Sequence, residues 1–282
     1  MIHSLVVAID STESSKLAQS FALDLAAKHD AKLTGLAVLD LPWIKRPMAM
    51  PIGGGAYRAH RDETLIANQT KELEEKLASF DKLCVARGVI CQSIEAEGSP
   101  NEQLDQEAEQ HDAVIIGRET NFHGHRGHDI GEATDKILKD HPRPVIIVPP
   151  TPFPSGNGAV VCFDGSLPAS RAMHMFYLMG LTKDEPVHVV SVNEDAGVAE
   201  RNASRGAAFF ASRGVEATAH GIQADDDSAE VSLTIFHLVE AVGAGMVAMG
   251  AYAEHGLLRQ LLVGSVTRQM ARSCPVPLFV AY

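Results

Sequence analysis

The sequence predicts an α/β chain made of two tandem doubly wound domains, each a five-stranded parallel sheet with helices on both faces. Three observations carry this. Short apolar runs are spaced by amphipathic helical stretches; the runs are Val/Ile-rich without polar alternation, as strands buried on both faces are; and the chain repeats itself. Val6 to Asp10 (VVAID) recurs as Val160 to Asp164 (VVCFD), and Leu36 to Asp40 (LAVLD) is answered by Val189 to Asn193 (VVSVN). Ala113 to Gly117 (AVIIG) matches Met246 to Gly250 (MVAMG), and Pro142 to Val148 matches Pro275 to Ala281.

The offsets place the two halves. The first two pairs lie 154 and 153 positions apart, whereas the later ones lie 133 apart, so the first half carries about 20 extra residues in its middle. That excess falls near residues 41–60, around Leu41 to Gly55, a Pro/Met/Gly segment of neither helical nor strand periodicity. Pro149 to Gly158 reads as a stiff linker, giving domains at 1–150 and 157–282.

Helices are expected in between. Ser14 to His29 follows capping residues and places Leu17, Phe21 and Leu25 on one face. Thr64 to Arg87 is amphipathic with Glu72 and Lys76 at i,i+4 spacing. Ser99 and Pro100 open a helix running to Gln110, and Asp225 to Asp227 form an acidic loop with a cap at Ser228. Strand–helix–strand alternation implies right-handed crossovers and a doubly wound sheet.

Composition narrows the function. With 24 basic and 36 acidic residues the formal net charge is −12, and no dense Lys/Arg run is present, so a nucleic-acid partner is disfavoured. Ala241 to Ala253 is too short an apolar stretch to cross a bilayer, which takes about 20 residues, and the first residues do not read as a signal peptide. Cys84, Cys91, Cys162 and Cys274 contain no C-x-x-C, and the Cys84/Cys91 spacing suggests neither a zinc site nor a disulfide framework. A cytoplasmic protein is expected.

In a doubly wound sheet, ligands bind at the carboxyl ends of strands where the winding reverses. There the sequence places Asp10 and Asp164, Gly117 and Gly250, and two small-residue helix openings, Gly131-Glu132 and Gly264-Ser265. A Gly-Ser helix start offers N–H groups and a hydroxyl to phosphate.

Both halves resemble the universal stress protein domain. Met249 to Thr267 (MGAYAEHGLLRQLLVGSVT), then Cys274 to Pro277 and a last apolar run, is similar to that family's C-terminal signature; the strand-end Asp is similar to its N-terminal one. The resemblance implies Rossmann-like domains of the adenine nucleotide α-hydrolase type, paired through their last strands, and, in nucleotide-binding members, a G-x2-G-x9-G-[ST] motif. Carried over, it assigns an adenine nucleotide, with Mg²⁺, to Asp164, Val192, Gly250, Ala253, Gly264, Ser265 and Thr267 in the second half. There Ala253 replaces the second glycine, and ten residues rather than nine precede Gly264. In the first half Asp10, Val38, Gly117 and Gly131 match, but Glu132 puts a carboxylate where a hydroxyl would meet phosphate.

His123, His125 and His128 form a candidate Zn²⁺ or Ni²⁺ set, with Asp129 or His111 completing it; the other reading is a solvated loop. No nucleophile elbow, P-loop or Gly-x-Gly-x-x-Gly is present, so no catalytic residue is assigned. The expected function is a non-catalytic stress-response or regulatory factor built as an internal pseudo-dimer, with a homodimer of chains as the further possibility. Its rivals are an ATP-binding, at most slowly hydrolysing, switch in the second half, and a carrier of an apolar small molecule. The carrier would use Trp43, Ile44, Met48, Met50 and Ile52 to line a cavity.

Overall fold

The computed structural model describes residues 1–47, 55–123, 130–138, 141–154, 156, 158–225, 227–251 and 265–282. The first half runs β1 (Ser4–Ile9), α1 (Glu13–His29), β2 (Lys32–Asp40), α2 (Leu41–Ile44), α3 (Gly55–Arg87), β3 (Cys91–Gly98), α4 (Pro100–Ala108), β4 (Ala113–Gly117), α5 (Glu132–Ile137) and β5 (Val145–Val148). The second runs β6 (Ala159–Cys162), α6 (Leu167–Leu178), β7 (Val187–Asn193), α7 (Ala196–Ala211), β8 (Ala217–Gln223), α8 (Ser228–Val242), β9 (Met246–Gly250), α9 (Ser265–Ser273) and β10 (Leu278–Ala281).

All ten strands form one sheet in the order β3-β2-β1-β4-β5-β10-β9-β6-β7-β8. Pairing is parallel within each half, and the halves meet where β5 and β10 run antiparallel, Ile146 opposite Phe279. The expected five strands per half and the pairing of last strands are therefore both seen. The central strands are apolar throughout because each contributes to two cores. One core takes Ala18, Leu77 and Phe80 from α1 and α3 and Phe176 and Phe210 from α6 and α7. The other takes Leu104, Ile137, Val239 and Met270 from α4, α5, α8 and α9. Both cores run across the seam, where Phe176 and Phe279 pack edge to face at 5.3 Å. The outer strands β3 and β8 are half-buried and carry Glu95, Glu97, Thr218 and His220, polar groups that blunt a free edge.

Several expectations are corrected. Val6 and Val160 lie opposite Thr34 and His188, so the second strand repeats at 154 positions like the first, not at 153. The insertion is partly helical: Asp40 caps α2 by accepting the Trp43 N–H (3.0 Å), with Pro42 in the first turn. The long helix α3 starts at Gly55 rather than Thr64, and its first turns are held by Arg58 and Arg61 donating to the carbonyls of Lys45 (2.6 Å) and Ile44 (2.7 Å). Asp227, not Ser228, caps α8, accepting the N–H groups of Ala229 and Glu230. The interdomain linker is docked, with Phe153 against both cores and 6.2 Å from Phe21.

The cysteine reading also changes. Cys84 and Cys91 are disulfide-bonded, with Cα atoms 6.1 Å apart. Sequence spacing hid this because the approach is made by a turn: α3 ends at Arg87, Gly88 adopts φ +66°, and the chain doubles back into β3. No described helix is long and apolar enough to cross a membrane.

Candidate functional site

The winding reverses between β1 and β4 in the first half and between β6 and β9 in the second, so each half has one crevice at its strand ends. Gly117 and Gly250 end β4 and β9 there. A Cβ on Gly117 would stand 2.6 Å from backbone atoms of Ser14 and Ser15; one on Gly250 would stand 2.5 Å from the Pro168 backbone. Each glycine thus lets the first turn of a helix, α1 or α6, press against the sheet.

Around that shared frame the halves diverge. Asp10 is 4% exposed. Its Oδ1 accepts the Thr12 N–H (2.9 Å) and hydroxyl (2.6 Å), and its Oδ2 accepts the N–H groups of Asn121 (2.9 Å) and Phe122 (3.4 Å). Ser14 adds a tie by accepting the Glu119 N–H (3.0 Å), and Ser15 bridges Asp10 N–H to the Ala8 carbonyl. Phe122 is buried at φ +61°, a conformation costly for a bulky residue and held here by Asp10. Val38 is fully buried in the core. Gly131 lies on the backbone of Glu119 and Thr120, where a Cβ would meet the Thr120 carbonyl at 2.1 Å, and its N–H donates to Arg118 (2.8 Å). The Asp10 carboxylate and the Ser14 and Ser15 hydroxyls are thus spent on the loops around them.

Beside them is a hollow of about 30 Å³ lined by Asp10, Gln69, Glu72, Lys76, Phe122 and His123. The insertion stands beside it. Trp43 stacks on His123 at 4.8 Å and 9°, Arg46 lies 3.9 Å over the indole, and Ile44 is buried in the core. Burial raises the Asp40 carboxyl above its ordinary range, against the opposing Trp43 N–H. Glu132 hydrogen-bonds Lys136 (2.9 Å), which holds its carboxyl below the ordinary range.

In the second half Asp164 is exposed. One carboxylate oxygen accepts the Ser166 N–H (2.9 Å), and its backbone carbonyl accepts from Asn202 (2.9 Å). Val192 is half-buried and Gly250 borders the same edge. Thr267 is 2% exposed, inside the fold rather than on its surface. Its first-half counterpart, Thr134, donates to the Gly117 carbonyl (3.0 Å). Ala253 and Gly264 lie outside the described residues, and Ser265 is described only as the first residue of α9.

The histidine set is only partly visible, since His125, His128 and Asp129 lie outside the described residues. His123 Nε2 stands 3.9 Å from Glu132. His111 precedes β4 while His123 follows it, a strand length of about 16 Å, and His111 pairs instead with Glu107 (3.1 Å). Among the described residues no group of three metal-ligating side chains gathers. Met48, Met50 and Ile52, the rest of the expected apolar lining, also lie outside them.

Sequence reasoning missed Ser14, Ser15, Asn121 and Phe122. The run of hydroxyls from Ser11 to Ser15 was a visible signal; partners 111 residues away were not.

Paired Rossmann-like halves, joined through antiparallel last strands and bearing an acidic residue at each switch point, define a tandem doubly wound α/β protein. The sequence profile of the Universal stress protein family matches the chain twice, over residues 1–149 and 159–281. The chain belongs to that family. It is similar to the Universal stress protein Slr1230 of Synechocystis sp., with 21% identity over 296 residues and 98% of each chain covered. It superposes on a universal stress protein from Archaeoglobus fulgidus with a TM-score of 0.73 at 18% identity, covering 99% of this chain and 97% of that one. A Pseudomonas aeruginosa protein described as functionally unknown gives 0.60 at 17%, covering 99% and 92%. These structural likenesses extend to the fold.

Proposed function

We propose that the protein is a cytoplasmic, non-catalytic regulatory member of its family in which adenine nucleotide, with Mg²⁺, occupies the second half alone. The pair of halves inside one chain is the working unit, and the first half serves as its closed partner. The observation that carries this reading is the contrast between the two strand-end aspartates. Asp10 is buried under four hydrogen bonds from its own loops, whereas Asp164 is exposed and, among the described residues, accepts one. A ligand reaching the first crevice would have to displace Asn121 and Phe122; one reaching the second would meet exposed Asp164 and half-buried Val192.

The test is calorimetry and native mass spectrometry of the full chain with Mg-ATP. The expected result is about one nucleotide per chain, lost in Asp164→Ala while the far-UV spectrum is unchanged. A chain that takes up no nucleotide, or that keeps it in Asp164→Ala, overturns the proposal.

A further inference from the structure

Cys84 and Cys91 are set apart from the other two cysteines by their proximity to one another, with Cα atoms 6.1 Å apart. Cys84 sits one turn before the end of α3 at 3% exposure, and Cys91, half-buried, opens the edge strand β3. The backbone holds them together independently of their sulfurs. The Val89 N–H donates to the Cys84 carbonyl (3.1 Å), the Gly88 N–H to Val85 (3.2 Å), and the Leu33 N–H of β2 to Ile90 (3.0 Å). Phe80, fully buried, anchors α3 one turn earlier. Breaking or making the sulfur bond therefore asks little of the chain.

The remaining cysteines are in different surroundings. Burial pushes the Cys274 thiol up to about 11 and the Cys162 thiol further still, so neither supplies a thiolate near neutral pH. Cys274 is fully buried and Cys162 lies on β6, inside the sheet. A disulfide in a reducing compartment is usually transient or redox-sensing rather than structural.

We propose that Cys84 and Cys91 form a reversible oxidation site, with a small hydroperoxide as oxidant and a low-molecular-weight thiol as reductant. Cys91, the more accessible, attacks the peroxide as thiolate. The O–O bond breaks, the distal alkoxide or hydroxide leaves and takes a proton, and Cys91 becomes a sulfenic acid. Cys84 then attacks that sulfur as thiolate, the S–O bond breaks, and hydroxide leaves as water. Two thiols and one hydroperoxide thus become one disulfide, one alcohol or water, and one further water; two electrons pass from sulfur to oxygen. Two equivalents of external thiol reverse the change by exchange, ending as their own disulfide. The crosslink ties the C-terminal end of α3 to β3. That same helix lines the first-half hollow through Gln69, Glu72 and Lys76.

The test counts thiols on the full-length protein by alkylation and mass spectrometry after reduction, removal of reductant and addition of stoichiometric hydrogen peroxide. Two of four thiols should disappear, the 84–91 crosslink should map by peptide analysis, and millimolar glutathione should restore both. Cys84→Ser should leave Cys91 as a sulfenic acid that dimedone traps, and Cys91→Ser should form no crosslink. Four thiols surviving ten equivalents of peroxide would overturn the proposal. So would oxidation spread equally over Cys162 and Cys274, or a bond that persists in excess glutathione.

Discussion

The two halves share a strand order, a packing glycine at the end of the fourth strand and a strand-end aspartate, yet they use that aspartate in opposite ways. In the first half it is an internal fastener: Asp10 satisfies Thr12, Asn121 and Phe122 and holds Phe122 at φ +61°. In the second half Asp164 faces solvent. The difference teaches that residue identity at a motif position does not report its availability. A carboxylate becomes a ligand group only if the surrounding backbone leaves its lone pairs unused.

Substitutions at the aspartates give the sharpest test. Asp10→Ala strands buried N–H groups of Asn121 and Phe122 and should destabilise by about 3 kcal/mol; Asp164→Ala, exposed, should cost within about 1 kcal/mol. Urea denaturation checks both, and equal losses would break the comparison. Gly117→Ala and Gly250→Ala should instead behave alike, each costing about 2 kcal/mol through overpacking against backbone. A large disparity between them would mean the shared frame is not shared.

The seam offers a smaller effect. The Tyr282 hydroxyl donates to the Ile137 carbonyl (2.6 Å), joining the end of the second half to α5 of the first. Tyr282→Phe should lower stability by about 1 kcal/mol while keeping one cooperative transition. Two separate transitions would show that the halves unfold independently.

The smallest effect is pH-dependent and comes from a histidine pair at positions where the first half has none. His188 and His220 meet at 3.1 Å on β7 and β8, where the register of the first half holds Thr34 and Ile94. Burial lowers both imidazoles below the ordinary 6.5; Glu216 opposes it at His188, and at His220 His188 adds to the lowering while Glu200 opposes. Between the folded value and 6.5 the unfolded chain binds more protons, so stability rises with pH. The contribution is complete above 6.5 and declines as pH falls through that window. Histidine NMR titration should give midpoints below 6.5, and His220→Gln should flatten the stability profile there. Midpoints at or above 6.5 would remove this asymmetry.

Much of the architecture was legible in residues. Repeated Val/Ile runs ending in Asp or Gly marked duplicate sheets, because a strand buried on both faces cannot alternate polar and apolar groups. Asp40-Leu-Pro was also a readable helix start that the Pro/Met/Gly composition around it obscured. The site was less legible. Asp10 and Asp164 look alike in sequence, and nothing local announces that Asn121 and Phe122 return to one of them from 111 and 112 positions away. Nor does a seven-residue spacing announce that Cys84 and Cys91 meet.

The sequence by itself determined the strand count and the duplication, since these follow from hydrophobic periodicity and from chemistry repeated along the chain; the joining edge was implied by the family resemblance. Only the tertiary structure decided which aspartate is spent, which cysteines meet and where the insertion's Trp43 rests. Each depends on how distant backbone segments converge, and hydrogen-bond satisfaction in a buried site is a property of that convergence rather than of any one residue.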